Sequence, residues 1–293
     1  MKNKLSLFAV PYVGWMSIFV VAPIIIMVVY AFSTAAGDFT LENFARMGTY
    51  TAVFTRSFKL AIIATLIALL IGYPVSYMLS KEGPQVQRIA MVLIMLPMWM
   101  NFQLRTYSWM SILENNGLLN QLFQQIGLID LYNQIAMHFA SDPAAYVPID
   151  HFQMIGTQGA VVLGMVYNYL PFMILPIYSV LVKLDHSLIE AARDLGASSV
   201  QVFRKVILPL SLPGVLSGIT MVFVPSVSTF AISRLLGGGT QMMLGDLIEQ
   251  QFLGGAYNPQ LGAAIALVMM AIVVVCMLVM NRFGDGEEQA VML

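Results

Sequence analysis

The sequence of 293 residues has little charge, since only 10% of its residues are Asp, Glu, Lys or Arg. A soluble domain carries about 25% charged residues, so this composition excludes an ordinary water-soluble domain. The 14 basic and 15 acidic residues leave a net charge of -1, which excludes a nucleic-acid-binding protein with a strongly basic face. Cysteine is scarcer still, and the single Cys276 excludes an intrachain disulfide and a cysteine metal cluster.

Long apolar windows take the place of the missing charge, because 59% of the residues are hydrophobic. A helix that crosses the ~30 Å hydrocarbon core of a bilayer needs about 20 apolar residues. Strands of a membrane barrel would alternate apolar and polar residues, which these windows do not. We therefore expect an all-α membrane protein with one transmembrane domain over residues 1–293. The windows predict six spans, at about 8–32, 59–79, 89–110, 159–182, 213–233 and 261–281.

The distribution of basic residues predicts the topology. If the N-terminus is cytoplasmic, the inside set is Lys2, Lys4, Lys81, Arg88, Lys183, Arg193, Arg204, Lys205 and Arg282, and the outside set is Arg46, Arg56, Lys59, Arg105 and Arg234. The larger inside set favours cytoplasmic N- and C-termini. The extracytoplasmic segment 111–158 then follows the third span, and its leucines at helical spacing predict an amphipathic helix at the membrane surface.

The cytoplasmic loop 184–209 has the pattern of two short helices. Ser187 with Glu190, and Ser198 with Gln201, each have the spacing of a capping box at a helix start. Gly196 falls where the first helix would end in a left-handed turn. From these residues alone, the loop is either a solvated connector or a rigid docking element.

A specific motif in this loop favours the docking element. The motif has Glu190, Ala191 and Ala192, then three residues and Gly196, then nine residues and Val206, Leu208 and Pro209. It resembles the EAA loop of ABC-importer permeases, and the only departure is Val206 in place of isoleucine. The resemblance implies the type I ABC-importer permease fold.

The same resemblance assigns roles to partners and to residues. It implies that the loop docks on an ATPase dimer, with Arg193 and Asp194 as polar contacts at the rim. ATP and Mg²⁺ would then be bound by those ATPase subunits. We expect no catalysis, no cofactor and no metal site in this chain.

Four further segments extend the resemblance along the chain. They are PMWMNFQLRTY (97–107), NGLLN (116–120), LPFMILP (170–176) and EAARDLGAS (190–198). They resemble the first permease subunit of spermidine/putrescine importers. The resemblance implies half of a translocation pathway for polyamines in the cell membrane. It also implies a second homologous permease and an extracytoplasmic polyamine-binding protein as partners, and no nucleic acid.

Polar and aromatic residues of the third span are the first pathway candidates. They are Trp99, Asn101, Arg105 and Tyr107. Asn101 and Arg105 are spaced to share one helix face, and a charge within a span is costly unless it faces water or snorkels to the interface. This face would therefore line the pathway or meet the binding protein, or else belong to an interfacial aromatic belt.

Two further groups of residues are weaker pathway candidates. Tyr167 and Tyr169 could hold an ammonium group by cation–π contact, or they could be belt or core aromatics. Asp246 and Glu249 could attract a polycation, or form a solvated helix face. The nearby base Arg234 weakens the case that this chain alone selects cations.

Competing functions remain at this point. An ion-coupled secondary transporter would place ionisable residues at mid-membrane, whereas the windows of this chain are neutral through their centres. A channel subunit or membrane scaffold would leave the EAA-like loop unexplained. A permease for another small cationic or organic solute is the main alternative to polyamine import.

Overall fold

The computed structural model describes residues 11–139 and 146–291, and helices make up most of this part. Helices α1 to α7 are Pro11–Ala31, Glu42–Arg46, Thr51–Ser80, Pro84–Met95, Phe102–Leu113, Leu118–Gln125 and Leu128–Phe139. Helices α8 to α13 are Gln158–Val182, His186–Asp194, Ser199–Ser228, Ala231–Leu236, Leu244–Leu253 and Pro259–Val291.

Five stretches are long and apolar enough to cross a membrane as single helices. They are Pro11–Ala31, Glu42–Ser80, Gln158–Val182, Ser199–Ser228 and Pro259–Met280. A sixth span forms if the bent pair Pro84–Trp99 and Phe102–Gln125 is counted as one. This agrees with the prediction of an all-helical membrane protein with six spans.

Two predicted spans differ from the structure. The prediction of an uninterrupted helix over 89–110 is wrong, because the chain bends by 91° between Trp99 and Phe102. The fifth span was predicted over 213–233, but its helix begins at Ser199 and ends at Ser228. Residues 8–10 of the first predicted span lie outside the described residues.

The segment between the third and fourth spans contains the expected amphipathic helix. Helix α6 exposes Leu118 and Leu122, and Ile126 just after it is also exposed, while Asn120 of α6 is buried. The Asn120 side chain donates a hydrogen bond to the Phe152 carbonyl oxygen at 3.0 Å and accepts one from the Phe152 N–H at 2.9 Å. These bonds tie α6 to the chain that leads into α8. Residues 140–145 of this segment lie outside the described part of the chain.

Helices α3, α8 and α10 pack together as the centre of the fold. Glycines allow the close approach, since a Cβ on Gly214 would lie 2.9 Å from the Pro176 carbonyl oxygen and one on Gly72 would lie 2.9 Å from Met173 Cγ. Small residues at a helix interface are typical of membrane bundles. Because α8 and α10 also flank the 184–209 loop, this packed unit supports the loop directly.

Buried hydrogen bonds join the same three helices. The Tyr73 hydroxyl lies 2.8 Å from the Ser211 hydroxyl and links α3 to α10. The Ser76 hydroxyl donates to the Ile174 carbonyl oxygen at 3.1 Å and links α3 to α8. Within a bilayer such bonds satisfy groups that have no access to water.

Candidate functional site

The first helix of the 184–209 loop begins at a different cap from the predicted one. The Asp185 side chain accepts a hydrogen bond from the Ser187 N–H at 2.9 Å, so Asp185 is the N-cap of α9. This bond lowers the pKa of the Asp185 carboxyl. The predicted capping box of Ser187 and Glu190 is therefore wrong, because Ser187 already lies inside the helix.

The turn at Gly196 has the predicted left-handed backbone, with φ of +81°. The Gly196 N–H donates to the Arg193 carbonyl oxygen at 2.8 Å, and the Ala197 N–H donates to the Ala192 carbonyl oxygen at 3.0 Å. This pair of bonds is the Schellman motif that ends many helices. A residue with a Cβ is strained at such a φ, so the turn requires glycine.

The second arm of the loop is part of the fifth membrane span. The predicted capping box of Ser198 and Gln201 is confirmed. The helix that starts there runs through a π-helical turn at Phe203–Ile207 and on to Ser228. Val206, Leu208 and Pro209 therefore belong to the first turns of this span. The second arm of the loop is thus continuous with the helix of this span.

Helix α9 has an inner and an outer side. On the inner side, Ile189 and Ala192 pack against the core formed by α3, α8 and α10. On the outer side, Glu190, Ala191 and Asp194 are exposed. Of the two alanines in the motif, Ala191 can thus meet a partner, whereas Ala192 packs against this chain.

Exposed apolar side chains lie beside the motif, and the sequence analysis did not single them out. Leu195 is 89% exposed, and Leu188 and Val200 are also exposed. Leu195 follows Asp194 directly at the C-terminal end of α9. Exposed apolar groups beside a docking motif are available for burial by a partner. Their place next to the motif was the available signal in the sequence.

The opposite end of the helices, here called the distal end, contains the bend in the third span. Pro97 lacks the N–H that would continue the helix. Asn101 caps α5, since its side chain accepts hydrogen bonds from the Gln103 and Leu104 N–H groups at 2.9 and 3.3 Å. Asn101 therefore precedes the helix that contains Arg105 and does not share a face with it, contrary to the prediction.

Arg105 lies behind the bend and is only 7% exposed. Its Nη1 donates to the Pro97 carbonyl oxygen at 2.5 Å, and its guanidinium lies 5.7 Å from the centre of the Tyr167 ring. Both contacts hold the bend in place. Neither a snorkelling arginine nor an arginine open to the pathway fits this burial. Trp99 and Tyr107 are exposed, and their roles stay predictions.

The two tyrosines of α8 have different surroundings. Tyr167 packs edge-to-face against Trp109 at 5.2 Å. Tyr169 is buried and lines a cavity of about 260 Å³ with Phe102, Gln103, Ser228, Thr229 and Phe230. The cavity lies where α10 ends and the chain is extended at Thr229 before α11. These partners were not predictable from the sequence, because neither charge nor glycine marks the break at Thr229.

Asp246 and Glu249 are both occupied by contacts within the chain. The Glu249 carboxylate accepts two hydrogen bonds from Arg234, at 2.6 and 3.1 Å. Asp246 Oδ2 accepts hydrogen bonds from the Ser233 hydroxyl at 2.5 Å and from the Met243 N–H at 3.0 Å. Burial raises the pKa of the Asp246 carboxyl. Both acids thus join α12 to α11, while Asp246 Oδ1 has no hydrogen-bond partner among the described residues.

Comparison with known proteins now identifies the family. Residues 64–287 match the family described as the binding-protein-dependent transport system inner membrane component. The chain belongs to this family. It is 34% identical over 281 residues to the spermidine/putrescine transport system permease protein PotB of Escherichia coli (strain K12), which covers 93% of this chain and 95% of that protein.

Solved structures support the same fold. The chain is similar, with a TM-score of 0.76 and 16% identity, to a chain of a bacterial ABC transporter that imports the acidic polysaccharide alginate, over 97% of this chain and 96% of that one. A second structure shows the alginate transporter in complex with a periplasmic protein bound to an alginate pentasaccharide. It matches with a TM-score of 0.68 and 18% identity over 99% and 96% of the two chains.

Membership of this family confirms two predictions from the sequence. The chain has the fold of an ABC-importer permease, and it is a multi-pass component of the inner membrane. The family consists of transport components, which agrees with the expectation of a transport subunit. Cytoplasmic termini and the roles of the individual site residues stay predictions.

Proposed function

We propose that this chain is a permease subunit of a polyamine importer. It would pair with a second homologous permease, receive substrate from an extracytoplasmic polyamine-binding protein and dock on an ATPase dimer that binds ATP and Mg²⁺. The similarity to PotB carries this proposal, because it extends over 93% of the chain and includes the whole 184–209 loop. We call this segment the coupling loop from here on.

The coupling mechanism follows from the two sides of α9. The outer side would seat on the ATPase through Glu190, Ala191 and Asp194 with the apolar Leu188 and Leu195. The inner side is held on the bundle by Ile189 and Ala192. ATP-driven closure of the ATPase dimer would move α9 as a rigid helix, and the continuous α10 would carry this movement to the distal end.

The cavity at the end of α10 is the best candidate for a substrate contact in this chain. Tyr169, Gln103, Ser228 and Thr229 offer neutral hydrogen-bonding groups, and Phe230 with Phe102 adds aromatic walls. The C-terminal end of a long helix carries partial negative charge, and broken helices in transporters place such ends at the substrate. These features suit an ammonium group without requiring a carboxylate.

This proposal revises the set of candidate pathway residues. Tyr169 stays in it and gains the partners named above, while Trp99 and Tyr107 stay as exposed aromatic residues near the bend. Arg105 becomes a positioning residue for the bend. The pairing of Glu249 with Arg234, and the burial of Asp246, mean that carboxylates for the polycation would come from the partner permease.

Reconstitution tests the proposal. The complete transporter in nanodiscs is given a cognate binding protein loaded with spermidine, putrescine, an amino acid or a sugar, and ATP hydrolysis is measured. We expect polyamines alone to stimulate hydrolysis. Stimulation by another solute and not by polyamines would refute the substrate, whereas transport that needs an ion gradient and no ATP would refute the ABC-importer mechanism.

A further inference from the structure

A second cavity, of about 390 Å³, lies between the coupling helix and the membrane bundle. Its walls come from the ends of α3 and α8, from the inner side of α9 and from the start of α10. We call it the inner cavity. The mechanism proposed above uses the outer side of α9 and leaves this cavity without a role.

The inner cavity is basic. The charged or chargeable side chains that line it are Lys81, Arg193 and His186, and no acidic side chain lines it among the described residues. The Lys81 ammonium lies 3.9 Å from the centre of the Tyr77 ring. Within the part of the chain that the structure describes, neither Lys81 nor Arg193 takes part in an ion pair. Lys81 and Arg193 thus bring positive charge to a cavity whose lining among the described residues offers no carboxylate.

The cavity lies at the ends of two membrane spans. Helix α3 ends at Ser80 and α8 ends at Val182, and residues next to both ends line the cavity. Its deeper wall is apolar and consists of Leu181, Leu184 and Ile207. A basic rim above an apolar wall, at the membrane surface, is complementary to an acidic phospholipid.

Arg193 lines this cavity and is exposed as well. Ile189 and Arg193 are four residues apart and both line the cavity, whereas Glu190 and Asp194 do not. The Arg193 side chain also has access to solvent. Its expected rim contact with the ATPase therefore stays a prediction.

We propose that the inner cavity binds the head-group phosphate of an acidic phospholipid from the leaflet at the coupling-loop end. Lys81 and Arg193 hold the phosphate, and the apolar wall receives the glycerol region. The bound lipid braces the inner side of α9 while the outer side engages the ATPase. This proposal depends on the family of the chain and not on polyamine as the substrate.

The test compares two lysines at the same membrane boundary. Lys81 lines the cavity, whereas Lys183 lies beyond the end of α8 and does not. Native mass spectrometry of the complete transporter, titrated with phosphatidylglycerol or phosphatidylcholine, measures binding. A basic residue near the surface contributes about fivefold to the affinity for an acidic lipid. We expect about a fivefold loss for Lys81→Gln, no loss for Lys183→Gln and retention for Lys81→Arg.

Three outcomes would overturn the proposal. Equal effects of Lys81→Gln and Lys183→Gln would mean a general surface attraction. If millimolar inorganic phosphate displaced phosphatidylglycerol and bound with the same affinity as the lipid, the ligand of the cavity would be a free anion. Unchanged lipid binding by Lys81→Gln with weaker ATPase association would show that an acidic side chain of the ATPase occupies the cavity.

Discussion

The sharpest prediction concerns Leu195, the apolar side chain at the end of the coupling helix. It is 89% exposed in the isolated chain, so nearly all of its surface is available to a partner. Full burial of a leucine contributes about 1.5–3 kcal/mol. Leu195→Ser should therefore weaken ATPase binding by about 2 kcal/mol, which is about thirtyfold in Kd. The fold should be unaffected because the side chain has few contacts within the chain.

A titration of ATPase subunits onto the permease pair in nanodiscs measures this loss. The matched control is Leu253→Ser, because Leu253 is 82% exposed at the end of α12 and far from the coupling loop. We expect the control to bind ATPase like the wild type. Wild-type affinity of Leu195→Ser, or an equal loss in both variants, would refute the assignment of this surface.

Three further predictions concern the turn, the helix packing and the buried acid. Gly196→Ala strains the left-handed turn by about 1–2 kcal/mol, so ATP-driven uptake should fall while the amount of protein in the membrane stays normal. Gly214→Val places a side chain against the Pro176 carbonyl oxygen, which lies 2.9 Å from the Cβ position. This variant should lower the unfolding midpoint in detergent by several degrees. Gly255→Val should not, because nothing lies within 4 Å of the Cβ position there. Burial raises the pKa of Asp246, so the folded state binds the proton more tightly, and the free energy of unfolding should decrease as pH rises above about 4, the ordinary pKa of an aspartate. Asp246→Asn should remove this decrease. An identical dependence of unfolding free energy on pH in the wild type and in Asp246→Asn would refute the prediction.

The coupling loop was largely predictable from sequence because its geometry is local. Gly196 needs a left-handed backbone and Ser198 caps the next helix, and both requirements involve only neighbouring residues. The sides of α9 were not predictable, because they depend on packing against the core that α3, α8 and α10 form. Ala192 packs inward for this reason.

The distal end was harder to predict because charge-free windows do not report helix breaks. The window that contains Pro97 is free of charge like those of the unbroken spans, yet the chain bends by 91° there. Arg204 and Lys205 made the start of the fifth span resemble a loop, although the helix continues through them. The pairing of Arg234 with Glu249 joins residues 15 positions apart and depends on the α11–α12 hairpin.

The most direct measurement of the central claim is spermidine uptake into proteoliposomes that contain the complete transporter and a loaded binding protein. We predict uptake that requires ATP, persists with a protonophore and is lost in Gly196→Asp while ATPase subunits remain functional on their own. Uptake that proceeds without ATP, or normal uptake by a well-expressed Gly196→Asp variant, would contradict the coupling role of this loop.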